Sequence, residues 1–128
     1  MTVPKTPTTA EAPPAAVSVR PERLRKRADF LAAARGRVAH SKGFVLQARD
    51  RGADGPARIG FTCSRKVGNA VARNRAKRRL REIARLELPA LARPGWDYVL
   101  IGRKDATAGL DFVRLRDDLR QAIAEVHR

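Results

Sequence analysis

The stretch GNAVARNRAKRRLREIARLELP, residues 68–89, decides how the rest of the chain is read. Its apolar positions Ala72, Ala76, Leu80, Ile83, Ala84 and Leu88 recur at the spacing that lines one face of an α-helix. Gly68-Asn69 stands where a helix start is expected, and Pro89 closes the pattern. The window 65–85 also holds nine Lys or Arg and one acid, Glu82, a local charge of +8. Asn74, Arg78, Arg81 and Arg85 fall at i, i+4, i+7 and i+11, one stripe with Lys77 beside it, on a different face from the apolar residues.

Such a stripe works against an isolated helix, because each like-charge pair at i, i+4 costs a few tenths of a kcal/mol. A polyanionic partner reverses the sign of that cost. Arg outnumbers Lys seven to two in the window, and the planar guanidinium grips phosphate bidentately or stacks on exposed bases. An ordinary solvated face mixes signs, which nine to one does not.

Working upstream, residues 57–63 and 42–49 read as strands, joined by Asp50-Arg51-Gly52-Ala53-Asp54-Gly55-Pro56, a linker of hairpin composition. A further short strand is placed around Arg37 to His40. Residues 24–35 are rich in helix formers and stop at Gly36, giving a first helix. Residues 1–20 hold four of the eight Pro with many Ala and Thr and almost no large apolar side chains, the composition of a disordered tail. The domain is therefore assigned to residues 21–128.

Downstream, Pro94-Gly95 turns the chain into a strand over residues 96–103, in which Trp96 and Tyr98 are read as core anchors. Phe112, Leu115, Leu119, Ala122, Ile123 and Val126 repeat with helical period behind Asp111, a natural N-cap. The fold class is a small single-domain α/β sandwich in the order α-β-β-β-α-β-α.

The whole chain of 128 residues is one domain's worth and carries 28 Lys and Arg against 13 Asp and Glu, a net charge of +15. Removing the +1 of the tail leaves the charge in the folded part, so a polyanion is the expected partner. No run of about 18 apolar residues exists and the first 20 residues lack a signal-type apolar stretch, so a membrane role is not expected and the protein is placed in the cytoplasm. Cys63 is the single cysteine, read as a core residue on a strand, and with His40 and His127 it cannot complete a tetrahedral zinc site. No role is assigned to either histidine. The acids, Asp29, Asp50, Asp54, Asp97, Asp105, Asp111, Asp117 and Asp118 with a few Glu, are scattered and do not form the carboxylate cluster of a two-metal nuclease. No helix-turn-helix or zinc pattern presents a DNA-recognition helix.

Residues 64–82, centred on Arg73-Asn74-Arg75, resemble the signature of the bacterial ribonuclease P protein component, a family marked by an Arg-Asn-Arg motif. Leu24-Arg25-Lys26-Arg27-Ala28-Asp29-Phe30 upstream, and residues 97–104 downstream, match further blocks of that family in order and spacing, so the resemblance spans residues 22–126. It implies a sandwich with a left-handed β-α-β crossover. It also implies a protein subunit that binds a catalytic RNA and the 5′ leader of precursor tRNA, one protein to one RNA subunit, in an endoribonuclease that makes the mature 5′ end. Catalytic residues in the polypeptide are then none, no cofactor is bound by the protein alone, and magnesium belongs to the RNA-containing holoenzyme. Arg65, Lys66, Arg73, Asn74, Arg75, Lys77, Arg78 and Arg81 are implied to face RNA.

Phe30 and Phe44 match aromatics of a leader-binding cleft, ordinary core packing being the alternative for each. The chain departs from the pattern where many members carry further aromatics, at Ala34 and Gln47, which shifts leader binding toward Arg and hydrogen bonds. A ribosomal-type RNA-binding protein with no linked reaction shares the composition and charge; only the ordered motif blocks separate it.

Overall fold

Seven residues, Trp96–Gly102, are aromatic or aliphatic with one embedded acid, and they form the central strand of the sheet. The computed structural model describes residues 21–128, and the tail expected at residues 1–20 lies outside them. Five strands make one sheet: β1 (Glu22–Arg23), β2 (Arg37–His40), β3 (Phe44–Asp50), β4 (Arg58–Thr62) and β5 (Trp96–Gly102), in the spatial order β1-β4-β5-β3-β2. β5 runs parallel to β4 and antiparallel to β3, while β2 is antiparallel to β3 and β1 parallel to β4.

That order corrects the hairpin expected between β3 and β4. The two strands are not neighbours, because β5 lies between them. The linker instead clasps the turn that leads into β5: Arg51 N–H donates to the Gly95 carbonyl and Gly95 N–H to the Gly55 carbonyl, both at 2.9 Å. Gly95 has φ of +81°, and a Cβ there would lie 2.5 Å from the Ala53 carbonyl oxygen, so the close approach needs glycine.

Alternation along β5 sorts the molecule into two layers. Tyr98 and Leu100 join Phe44, Leu46, Ala48 and Ile59 in the main core, packed with the helices α2 (Ala70–Leu91) and α4 (Phe112–Val126). Val99 and Ile101 look the other way, onto a smaller cluster with Leu24, Phe30 and Ala33 beneath α1 (Arg27–Ala34). A short helix, α3 (Ala106–Gly109), which the sequence reading did not contain, bridges β5 to α4. Its buried Thr107 hydroxyl donates to the Gly43 carbonyl and accepts from Arg103 N–H.

Helix boundaries follow local chemistry. Asn69 accepts from Ala72 N–H at 2.9 Å to start α2, and Asp111 accepts from Arg114 N–H at 3.2 Å to start α4. Pro89 does not end α2, which continues to Leu91. Proline in the last turn removes only the bond to the carbonyl of Arg85, an exposed residue. α1 is shorter than residues 24–35, because Leu24 is held at the sheet edge, its N–H bonded to the Ile59 carbonyl and its side chain buried.

Three polar groups are buried for structural reasons. Glu87 on α2 receives Arg116 at 2.7 Å and Arg120 at 3.3 Å from α4, tying the two helices together. Tyr98 Oη accepts from Arg93 N–H at 2.9 Å and meets His127 Nε2 at 2.6 Å; burial pushes the phenol up to about 12 and the imidazole down to about 4. Asp97, fully buried on β5, takes a two-pronged contact from Arg58, Nε and Nη2 each at 2.7 Å, and a third from Arg51 at 2.9 Å. Arg58 also reaches Asp29 of α1 at 3.4 Å.

Burial would push the Asp97 carboxyl up, but the hydrogen bonds and charges of Arg58 and Arg51 outweigh it and hold the group below its ordinary range. The folded-state value is depressed, so this stabilisation is present above the unfolded value of about 4 and is lost as pH falls through the lower folded value. Asp97→Asn is expected to cost about 3–5 kcal/mol at neutral pH, since it removes the buried negative charge around which the Arg58 and Arg51 guanidinium groups close. Urea denaturation of both proteins from neutral pH down into the acid range checks this: the difference should shrink only below about pH 4.

Candidate RNA interface

The approach to α2 is shaped by two caps in series. Ser64 accepts from Lys66 N–H at 3.2 Å and starts a single 3₁₀ turn, Arg65–Val67, which Gly68 ends at φ of +143°, a left-handed value that favours glycine. Asn69 then begins the helix. Arg65 and Lys66 are thereby exposed on the turn directly ahead of the stripe.

Asn74, Arg75, Arg78 and Arg81 are exposed on the outer side of α2, and Ala76, Leu80, Ile83 and Ala84 are buried on the inner side. Arg73 and Lys77 are half-buried and line a small depression of about 230 Å³ with Cys63, Ala70 and Asn74. The structure thus brings all eight of the predicted residues onto one turn and the stretch of one helix that ends at Arg81. Arg73 Nε is buried with no hydrogen-bond partner among the described residues. Cys63 is half-buried, and burial pushes its thiol up, away from thiolate reactivity.

Not every cation of the window is available to a partner. Arg79 turns to the side and donates to the carbonyls of Ala108 and, at 2.6 Å, Leu110, with its guanidinium 5.8 Å from the centre of the Phe112 ring. Arg85 pairs with Glu82. The other seven, Arg65, Lys66, Arg73, Arg75, Lys77, Arg78 and Arg81, form no salt bridge among the described residues. α4 shows the contrast: Arg114 pairs with Asp118, Arg120 with Asp117 and Glu87, and Arg116 with Glu87. One helix is electrostatically closed and the other open to an anion.

A second opening of about 400 Å³ lies where α1 meets β4, lined by Arg25, Arg27, Phe30, Leu31 and Thr62. Phe30 is half-buried there, close over Gly60, where a Cβ would come within 2.5 Å of the ring. Phe44 is not part of it. The strand alternation sends Phe44 to the opposite face of the sheet, fully buried in the main core, so the expectation that it lines a cleft is corrected. Its neighbours in the α1 layer are the half-buried Val45 and Gln47. Arg25 and Arg27 were visible as a basic run beside Phe30, yet nothing in their spacing marked them as lining an opening.

Among the described residues no three His, Cys, Asp or Glu side chains gather into a metal site, and no helix is long and apolar enough to cross a membrane.

Comparison with known proteins points one way. The family described as Ribonuclease P matches residues 19–127. The ribonuclease P protein component of Ruegeria pomeroyi is 63% identical over 107 residues, covering 81% of this chain and 85% of that protein. That of Caulobacter vibrioides is 52% identical over 103 residues, covering 80% and 68%. Among solved structures, the RNase P protein from Thermotoga maritima superposes with a TM-score of 0.65 at 36% identity, covering 78% of this chain and 93% of that one. The Staphylococcus aureus RNase P protein gives 0.65 at 27%, covering 85% and 100%.

The two kinds of arginine on α2 separate by stability. Arg79→Ala is expected to cost about 1–3 kcal/mol, because it strands two carbonyls, and Arg78→Ala to stay within about 0.5 kcal/mol. Chemical denaturation of the two variants checks the order, and equal losses would mean that the outer face is structural.

Proposed function

The chain belongs to the ribonuclease P protein family, and from that premise we propose that it binds the catalytic RNA subunit through α2 and the preceding turn, and the 5′ leader of precursor tRNA through the opening beside Phe30. Membership carries a subunit role in tRNA processing within a ribonuclease complex. The observation that supports the finer reading is the set of seven cations from Arg65 to Arg81 that form no salt bridge among the described residues, carried on the 3₁₀ turn and on a capped helix whose opposite face is locked in the core.

In this reading the polypeptide does no bond-breaking. Asp97, Glu87 and Asp111 are engaged in ion pairs and capping, and among the described residues no three His, Cys, Asp or Glu side chains gather into a metal cluster. Magnesium is accordingly assigned to the RNA. The cations neutralise phosphates that must approach one another for cleavage, one protein serving one RNA in the cytoplasm. Each neutralised phosphate releases counterions and contributes about 0.7–0.9 to the slope of log affinity against log salt. Arg25 and Arg27 would hold leader phosphates while Phe30 stacks a base, which tolerates any leader sequence.

The test is cleavage of a 5′-end-labelled precursor tRNA by a bacterial ribonuclease P RNA at low magnesium, with and without the protein. Restored cutting at the mature 5′ end by a protein inert alone is the expected result. Binding without stimulation would favour a packaging role, and cutting without the RNA would overturn the assignment of chemistry.

Three variants refine it. Arg73→Ala or Arg75→Ala should lower cleavage at physiological magnesium and recover at high magnesium, where ions replace the missing charge; equal deficits at both would mark these residues as structural. Phe30→Ala should weaken binding of precursor by the holoenzyme by about 1–3 kcal/mol while leaving leaderless tRNA unchanged, as read from paired dissociation constants.

A further inference from the structure

On the α2 side of the sheet, where β1 and β4 leave the helix overhanging, lies an open groove of about 710 Å³. Its apolar surface includes Phe61, Pro21 and Pro89, and its rim carries Arg23, Arg81 and Arg85. Phe61 alternates with Gly60 and so lies on the opposite face of the sheet from the opening beside Phe30. The groove is therefore separate from the proposed leader site.

Its volume falls in the range of about 300–1,000 Å³ that small-ligand sites occupy. An aromatic ring and two prolines under three guanidinium groups suit a flat apolar group attached to an anion. Rim and stripe are also continuous: Arg81 and Arg85, one turn apart, end the row that begins with Asn74 and Arg78. RNA that follows the stripe arrives at the mouth of the groove.

We propose that this groove accepts one unstacked nucleotide of the RNA bound along α2, its base against Phe61 and its phosphate on Arg81 and Arg23, the two rim cations that form no salt bridge among the described residues. The proposal rests on the reading of α2 as the RNA-facing helix. It adds an apolar, salt-insensitive component to an interface otherwise made of charges, because stacking on an aromatic does not release counterions.

The experiment uses the full chain and a bacterial ribonuclease P RNA. Phe61→Leu, with its fold checked by circular dichroism and urea midpoint, should weaken RNA binding by about tenfold or more with an unchanged salt slope. Arg78→Ala should instead lower the slope by about one. Independently of Phe61, Arg85→Cys on a Cys63→Ala background, labelled with benzophenone-maleimide, should crosslink to a single unpaired nucleotide. If the wild-type chain does not bind the RNA, the functional reading and this proposal fail together. If it binds with the predicted salt slope but the crosslink goes to residues 1–20, to a second copy or nowhere, the groove proposal alone is overturned.

Discussion

A single buried carboxylate, Asp97, is the contact on which the arrangement of layers depends. It sits in the central strand with no exposed surface, and it is stable as an anion only because two arginines from the β3–β4 linker and β4 close around it. The second arm of Arg58, to Asp29, then fixes α1 over the far side of the sheet. One charge thus sets the start of β5, the path of the linker and the seat of the helix that carries Phe30.

The rest of the electrostatics divides by helix. α4 and the inner edge of α2 are neutralised internally through Glu87, Asp117 and Asp118, which lets the two helices pack despite the excess of arginine. The outer side of α2 from Asn74 to Arg81 has no such compensation among the described residues, and the burial of Leu80, Ile83 and Leu88 holds in place a helix that its own charges disfavour. Hydrophobic packing here maintains a concentration of charge that solution alone would disperse.

Much of this was legible from the sequence, and the failures have physical causes. The starts of α2 and α4 were readable because Asn69 and Asp111 are local signals whose partners lie within three residues. The stripe of Asn74, Arg78 and Arg81 was readable because helical periodicity fixes which side chains share a side, whereas Arg65, Lys66, Arg73 and Arg75 lie off that stripe and were implied only by the family resemblance. Phe44 misled because every strand that flanks β5 is covered on both faces, so hydrophobicity alone does not say which parity faces which layer. The hairpin between β3 and β4 misled for a related reason: turn composition reports a reversal of direction, which occurs, and not whether the two strands touch. Leu24 and Pro89 shifted helix ends by contacts that distant residues or solvent supply.

The separation of β3 from β4 has a consequence for how the chain is made. β3 and β4 stand antiparallel with a gap one strand wide, and the strand that fills it comes more than thirty residues after β4, after the whole of α2. During synthesis from the N-terminus, helical segments can form as they emerge, but the sheet has no contiguous pairing across its middle until β5 has left the ribosome. The cationic helix is therefore complete before the scaffold that will position it, and the nascent chain must carry that charge past ribosomal RNA with no finished fold behind it.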